Sequence, residues 1–490
     1  MSSHLPLPVL LTFFGAALFM PLAGLVHRRA PWVVAVAGSL LAGGFALFGL
    51  LHVAGHGEVR YSVGNWDPPF GIELVADPLS VFMLVVLAVI AAATLIHSRE
   101  PVEREVAARP ALYYASALIM LGGFAGIVST GDLFNLYVFL EIAALASYAL
   151  LGANGPRSAV AAFRYLILGT IGASFYLIGV GFIFIETGSL NIADVRAIIE
   201  VVGLTVPIGV GAAFMVAGIA VKFALVPFHQ WLPDAYTEAP SSSTALVAPI
   251  GTKVAAYVLI RLMLDLFPGE RIESALHLRE ILGVLGAIGI LWGSIMAIPQ
   301  TNLKRMLAYS SVAQVGYIAL GIGLGTAYGL IGAVLHILNH ACMKSCLFLV
   351  SSNLETKGRG VKIGDFDASL RRDMPVSSAA FAVAALSMIG LPPTAGFFSK
   401  WYLLLGSYEE GRWFFIATII ASSLLNAVYF FRILERMYLG GGDEPARRER
   451  TRGAALLATP AAALAVGLLL LGFGNAYLVS EFIFPIVSGP

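Results

Sequence analysis

Apolar runs of about twenty residues recur along almost the whole chain, separated by short stretches of glycine, proline and charge. About twenty apolar residues is what an α-helix needs to cross the hydrocarbon of a bilayer. The runs are 7–26, 31–53, 78–97, 111–129, 132–152, 162–186 and 205–227, then 243–264, 280–298, 306–324, 328–352, 376–400, 412–438 and 454–476. They predict an all-α integral membrane protein of about fourteen helices. A membrane barrel would alternate apolar and polar residues, whereas these runs are continuous. With 58% hydrophobic and 12% charged residues over 490 positions, little chain remains for a soluble domain. A net charge of +1 argues against nucleic acid as a partner.

The connecting segments test the count independently. If the first run ends in the cytoplasm, the inside segments hold nineteen lysines and arginines, from Arg28 and Arg29 to Arg452. The opposite side holds five: Arg60, Arg196, Arg271, Arg279 and Arg412. Cytoplasmic loops are the basic ones, so the bias predicts an even number of spans with both termini outside, in a bacterial or archaeal cell membrane. The segment after helix seven is an exception, with Asp234 and Glu238 and no base. The first run lacks a small-residue cleavage site and is expected to be retained.

Helix seven meets Pro227 and Pro233 soon after Lys222, and helix twelve contains Pro392-Pro393 shortly before Lys400. Proline removes a backbone donor, which is tolerated at depth only where protein or water satisfies the freed carbonyls. Paired interruptions of this kind point to a transport path at a repeat interface. Falling five helices apart, they predict four parts: 1–110 with helices one to three, 111–264 with a first five-helix unit, 280–438 with a second, and 454–476 with the last helix. No residue-level repeat is visible in the sequence.

Several apolar runs carry charge at depth, where an ionisable side chain must pair or line a hydrated path. Glu141 sits in the middle of the apolar stretch 133–151, and Lys222 near the interruption of helix seven. Such a pair holds two helices together; equally, breaking it leaves the lysine without the partner that favours its charge. Lys253 lies too deep in helix eight to reach water easily, and is either an amine bonded to carbonyls or part of a path. Arg261, two turns later, is expected to extend towards the outer surface.

His336, His340 and Lys344 follow at i, i+4 and i+8, one helical stripe of groups able to relay protons or to bond neighbouring helices. The His-x3-His spacing also suits zinc, but no third ligand accompanies it. Lys400 lies just beyond the double proline. Lys304, beside Arg305 at an inside helix end, is where a basic residue is expected anyway. His229, after Pro227, is either a relay or a cap. Cys342 and Cys346, four residues apart in one apolar run, read as small core-filling residues.

The strings Gly131-Asp-Leu-Phe-Asn-Leu-Tyr-Val-Phe-Leu-Glu141 and Lys222-Phe-Ala-Leu-Val-Pro-Phe-His-Gln-Trp-Leu-Pro-Asp-Ala-Tyr-Thr-Glu-Ala-Pro240 resemble signatures of the antiporter-like proton-pumping subunits. So do Leu303-Lys-Arg-Met-Leu-Ala-Tyr-Ser-Ser311, the stripe from His336 to Lys344 and the break from Pro392 to Lys400. The likeness runs from about residue 70 to 440. That family includes membrane subunits of respiratory complex I, of membrane-bound hydrogenases and of Mrp-type sodium/proton antiporters.

The resemblance implies fourteen helices with two inverted five-helix repeats, helices four to eight and nine to thirteen, broken at helices seven and twelve. It implies a Glu141–Lys222 switching pair, a hydrated axis through Lys253 and a histidine of helix eleven, and an end at Lys400. A lysine at that end resembles the D-type subunit of Mrp antiporters or the N-type subunit of complex I, and the chain length and the Leu-Pro-Pro break look most similar to the D-type subunit.

The expected function is therefore proton conduction within a multisubunit cation (sodium)/proton antiporter, with other membrane subunits as partners and no cofactor of its own. The alternative is the same relay in a complex I-like oxidoreductase or hydrogenase. No cysteine cluster, glycine-rich dinucleotide fingerprint or haem pattern occurs, so redox cofactors would reside in partners. A transferase for lipid-linked substrates would need paired carboxylates on a loop, and only Asp365 and Asp367 offer that.

Overall fold

A computed structural model describes residues 4–106, 109–267, 270–440 and 454–488 of the chain. The helices are α1 (Leu7–Val26), α2 (Ala30–His56), α3 (Pro78–His97), α4 (Pro110–Ser129), α5 (Leu133–Leu151) and α6 (Pro156–Thr187). Helix α7 is split into α7a (Val206–Phe223) and α7b (Trp231–Glu238). After α8 (Ser241–Arg261) come α9 (Leu278–Ala297), α10 (Leu303–Leu324) and α11 (Ala327–Thr356). Helix α12 is split into α12a (Pro375–Ile389) and α12b (Ala395–Glu409), followed by α13 (Trp413–Leu439) and α14 (Ala454–Phe473).

Thirteen of these, with the halves of α7 taken together, are long and apolar enough to span a membrane. The fourteenth, α12, is assembled from two halves of 15 residues each. Its second half runs nine residues beyond the expected edge at 400, because a helix restarted after the break needs new length to complete the crossing. Between α2 and α3 the chain adds a small antiparallel hairpin, β1 (Val59–Ser62) and β2 (Glu73–Ala76), which the apolar runs do not reveal.

Local chemistry places the helix starts. Asp77 and Ser80 form a capping box at α3, each accepting a backbone N–H from the other's position. The Asp132 and Asn302 side chains accept from the N–H of Asn135 and Arg305, capping α5 and α10. Glycines let helices meet closely: a Cβ on Gly218 would lie 2.4 Å from the Gly172 carbonyl of α6, and one on Gly286 of α9 would lie 2.7 Å from that of Gly316 in α10. Helices α8 and α11 are central, with 89% and 94% of their spans buried, so their polar residues cannot face lipid.

The repeat is legible in the backbone. Asp132 bridges Asn191, joining the α4–α5 and α6–α7 connections, and Asn302 bridges Lys362, joining the α9–α10 and α11–α12 connections. The hydrogen bonds match pairwise: Leu133 N–H to the Leu190 carbonyl as Leu303 N–H to Val361, and Ile192 N–H to Gly131 as Ile363 N–H to Thr301. By chain direction these two bridges fall on opposite faces, as two inverted units require.

The breaks match too. Ala224 and Gly390 both turn left-handed, with φ of 58° and 92°, at the ends of α7a and α12a. The next residues, Leu225 and Leu391, donate back to Ala220 and Leu386, then accept from Phe228 and Thr394. Glycine takes this conformation freely and alanine does not, so Ala224 is held by its surroundings.

The charge exception also resolves. Asp234, in α7b, pairs with Arg164 of α6 at 3.1 Å and Arg305 of α10 at 3.3 Å, so its bases come from neighbouring segments. Arg447, Arg448, Arg450 and Arg452, counted on the basic side, and the Arg271 side chain lie outside the described residues.

Candidate functional site

The end of α7a brings Lys222 against α5. Its ammonium stands 3.9 Å from the Glu141 carboxylate, donates a hydrogen bond to the Tyr148 hydroxyl at 3.1 Å and lies over that ring. The lysine is 8% exposed and the glutamate 24%, so Glu141 sits at the chain's flank while Lys222 is enclosed. Tyr148 meets Tyr165 edge-on, Tyr165 stacks on Trp231 of α7b, and Trp231 donates to the Val221 carbonyl, which also accepts from the Ala224 N–H. Aromatic packing therefore fixes both sides of the interruption. Tyr148 and Tyr165 carry no signal in the sequence beyond lying in apolar runs.

Between Lys222 and α8 lies a cavity of about 40 Å³, bordered by Ser147, Phe124, Gly251 and Val254. That is room for water beside an ammonium and a hydroxyl. Lys253, on α8, is 1% exposed. Its ammonium donates to the Ala248 carbonyl at 3.1 Å and the Thr252 hydroxyl at 3.3 Å, beside Pro249, which interrupts the helical ladder.

On α11, His336, His340 and Lys344 are fully buried. One His336 ring nitrogen meets the Ser399 hydroxyl of α12b at 2.9 Å and the other the Gln314 side-chain oxygen of α10 at 3.0 Å. His336 thus ties three helices. His340 is different: neither ring nitrogen has a protein partner, and its ring stacks 5.8 Å from that of His336. A buried imidazole without protein partners calls for water. Lys344 donates to the Leu307 carbonyl at 2.6 Å and the Ser310 hydroxyl at 2.5 Å on α10.

Lys400 is 4% exposed and lies on α12b, yet its ammonium turns back across the break. It donates to the Met388 and Ile389 carbonyls at 3.0 and 2.9 Å and to the Ser423 hydroxyl of α13 at 3.2 Å. It also faces the Tyr317 ring at 4.9 Å, and that ring lies 5.3 Å from His336. Each broken helix therefore presents an ammonium to a tyrosine on the second helix of its own unit, Tyr148 in α5 and Tyr317 in α10.

Lys304 and His229 stand apart from this group. Lys304 is not a solvated helix end: it is 3% exposed, donates to the Ala239 carbonyl at 2.7 Å and faces Glu355 at 3.7 Å, clamping the end of α7b to α11. His229, in the α7 break, accepts from the Trp292 indole at 3.1 Å, and its other nitrogen has no protein partner. Arg261 is held short of the outer surface: it is 15% exposed and pairs with Asp77 at 2.5 Å and Asp265 at 2.8 Å.

Among the described residues no three His, Cys, Asp or Glu side chains converge as metal ligands. Cys346 contacts the Ala380 and Ala461 carbonyls, as a core-filling residue would. Asp367 caps the short helix Ala368–Asp373 through the Ser369 N–H, a structural use of one of the two loop carboxylates.

Fold and site together define a polytopic membrane subunit with ionisable groups threaded through both halves of an inverted repeat. The chain belongs to the NADH:quinone oxidoreductase/Mrp antiporter transmembrane family, whose model matches residues 130–426. It is 43% identical to the N subunit of the NADH-quinone oxidoreductase of Desulforudis audaxviator, over 99% of this chain and 98% of that one. It is 28% identical to the D-type subunit of the Na(+)/H(+) antiporter of Alkalihalophilus pseudofirmus, over 88% and 87% of the two chains. A chain of the Mrp complex from Dietzia superposes with a TM-score of 0.88 at 26% identity, covering 99% of this chain and 97% of that one.

Proposed function

We propose that the chain is the proton-conducting membrane subunit of a complex I-like oxidoreductase. The observation that carries this reading is the series of buried ionisable groups, from Glu141 and Lys222 through Lys253, His340 and His336 to Lys400. Lys253 and Lys400, enclosed and bonded only to neutral oxygens, can lose a proton without stranding a buried anion. The histidines between them offer ring nitrogens that can each donate or accept a hydrogen bond. Lys344 branches from the series towards α10, while Lys304 and His229 act at its margin as clamp and acceptor.

The choice of assembly rests on likeness over the whole chain. The expected D-type antiporter subunit has relatives at 28% identity, whereas an end-to-end relative at 43% is an N-type oxidoreductase subunit. Redox energy would then come from partner subunits, and this chain would supply the path. The antiporter reading keeps its own support in the Dietzia superposition and the Leu391-Pro-Pro393 break.

Purification through a tag on this chain, followed by vesicle assays, decides between them. The oxidoreductase reading expects co-purifying iron–sulfur and flavin subunits and proton uptake into inverted vesicles driven by NADH. Membrane subunits alone, with sodium-dependent proton release from preloaded vesicles, would replace it with the antiporter. Topology enters here as well: the basic face is taken as cytoplasmic, with both termini outside.

A further inference from the structure

Arg261, which by sequence should reach water along its own stem, closes the floor of a large cavity instead. That cavity, about 810 Å³, opens on the arginine-poor face between the β1–β2 hairpin, the end of α8 and the segment Phe484–Ser488. Its wall is ionic: Arg60 bonds Glu73 at 3.0 Å, and Asn191 bonds the same carboxylate at 3.1 Å.

Below, Arg261 donates to the Tyr257 hydroxyl at 2.8 Å, and Tyr257 donates to the Val128 carbonyl of α4 at 2.7 Å. Lys253, Tyr257 and Arg261 follow at i, i+4 and i+8, so they share one face of α8. Helical side chains lean towards the N-terminus, which lays the Tyr257 ring over the turn of Lys253. A polar stripe thus descends from the cavity to the middle of the molecule, in the first repeat and away from Lys400.

We propose that this cavity is a proton vestibule, opening the axis at Lys253 to the arginine-poor face, with the Tyr257–Arg261 floor as its gate. The proposal rests on the proton-conducting reading above and adds an opening on the first-repeat side. Arginine keeps its proton, so Arg261 serves as a gate held by Asp77 and Asp265 and not as a carrier. Hydronium or ordered water carries the charge, and the lining, with four carboxylates to three guanidiniums, carries a small net negative charge that favours cations over anions.

The test uses the assembled complex in vesicles and a charged, membrane-impermeant methanethiosulfonate applied from the arginine-poor face. Leu264→Cys and, as a second variant should the first fail to assemble, Ala193→Cys place the reagent inside the cavity. Phe70→Cys places it on the same face outside the cavity, at a residue 92% exposed. Native Cys342 and Cys346 are buried, which limits background labelling.

Labelling at Leu264→Cys or Ala193→Cys is expected to abolish most proton transport, and labelling at Phe70→Cys to leave it unchanged. Cavity cysteines that label fully without loss of transport, that stay unlabelled while the complex transports, or that inhibit no more than Phe70→Cys would overturn the vestibule. Glu141→Gln in the same assay separates the two readings. If it stops transport while cavity labelling does not, conduction stands and only the vestibule fails.

Discussion

Lys222 and Glu141 face each other at 3.9 Å, yet the one hydrogen bond that the ammonium makes goes to Tyr148. The pair is in Coulombic contact without being locked. Removing one member leaves the other charge in a low-dielectric site, at a cost of about 3–5 kcal/mol when burial is complete. Glu141→Ala and Lys222→Ala are each expected to abolish proton transport while the subunit still inserts. The double variant decides the role: substantial transport in it would make the pair a scaffold.

The two histidines of α11 are expected to part company. His336→Ala deletes hydrogen bonds to Ser399 and Gln314 and leaves a cavity, so the solubilised complex should lose about 2–4 kcal/mol of stability. His340→Ala removes no protein hydrogen bond and should destabilise less, while transport falls in both. Thermal unfolding of the two variants side by side measures this; equal destabilisation would mean that His340 has partners in the assembly.

Much of this is legible in the sequence, and the gaps share a cause. Helix runs, both breaks and all the deep charges are readable because hydrocarbon tolerates few exceptions to apolar sequence. The partners are not: Tyr148, Tyr317, Gln314 and Ser399 are common in apolar runs, and only packing selects them. Lys304 and Arg261 mislead for the same reason. Each sits where a free end is expected, and a tertiary acid, Glu355 or Asp77, holds it inside. The repeat shows in the sequence only through the paired prolines and lysines of its two breaks, because the rest is carried by backbone bridges that different side chains satisfy.

Lys304→Met should act on stability before transport. It removes the bond to the Ala239 carbonyl and leaves Glu355 without its partner, loosening α7b from α11. Lower yield of complex, with near-normal transport per assembled complex, is the expected result. A full yield with lost transport would move Lys304 into the path.

Asp77 gives a pH dependence. Burial pushes its carboxyl up, but the Arg261 guanidinium and the Ser80 hydrogen bonds outweigh this and hold it below its ordinary value of 3.8. A carboxyl lowered by folding contributes stability that is present above 3.8 and lost as pH falls through the lower folded value. Asp77→Asn should therefore lower the unfolding temperature near neutrality and make progressively less difference as pH falls through that lowered folded value. A deficit that does not shrink on acidification would show that geometry, and not charge, holds α3 to α8.

Lys400 tests the relay most directly, because its three hydrogen bonds also suit a fixed anchor for the end of α12a. Arginine can supply that charge and those donors but does not give up its proton. Proton transport by the Lys400→Arg complex in inverted vesicles, measured across a range of pH, separates the two roles. Conduction through Lys400 predicts normal assembly with most transport lost at every pH. Near-normal transport across that range would contradict it and end the path before α12.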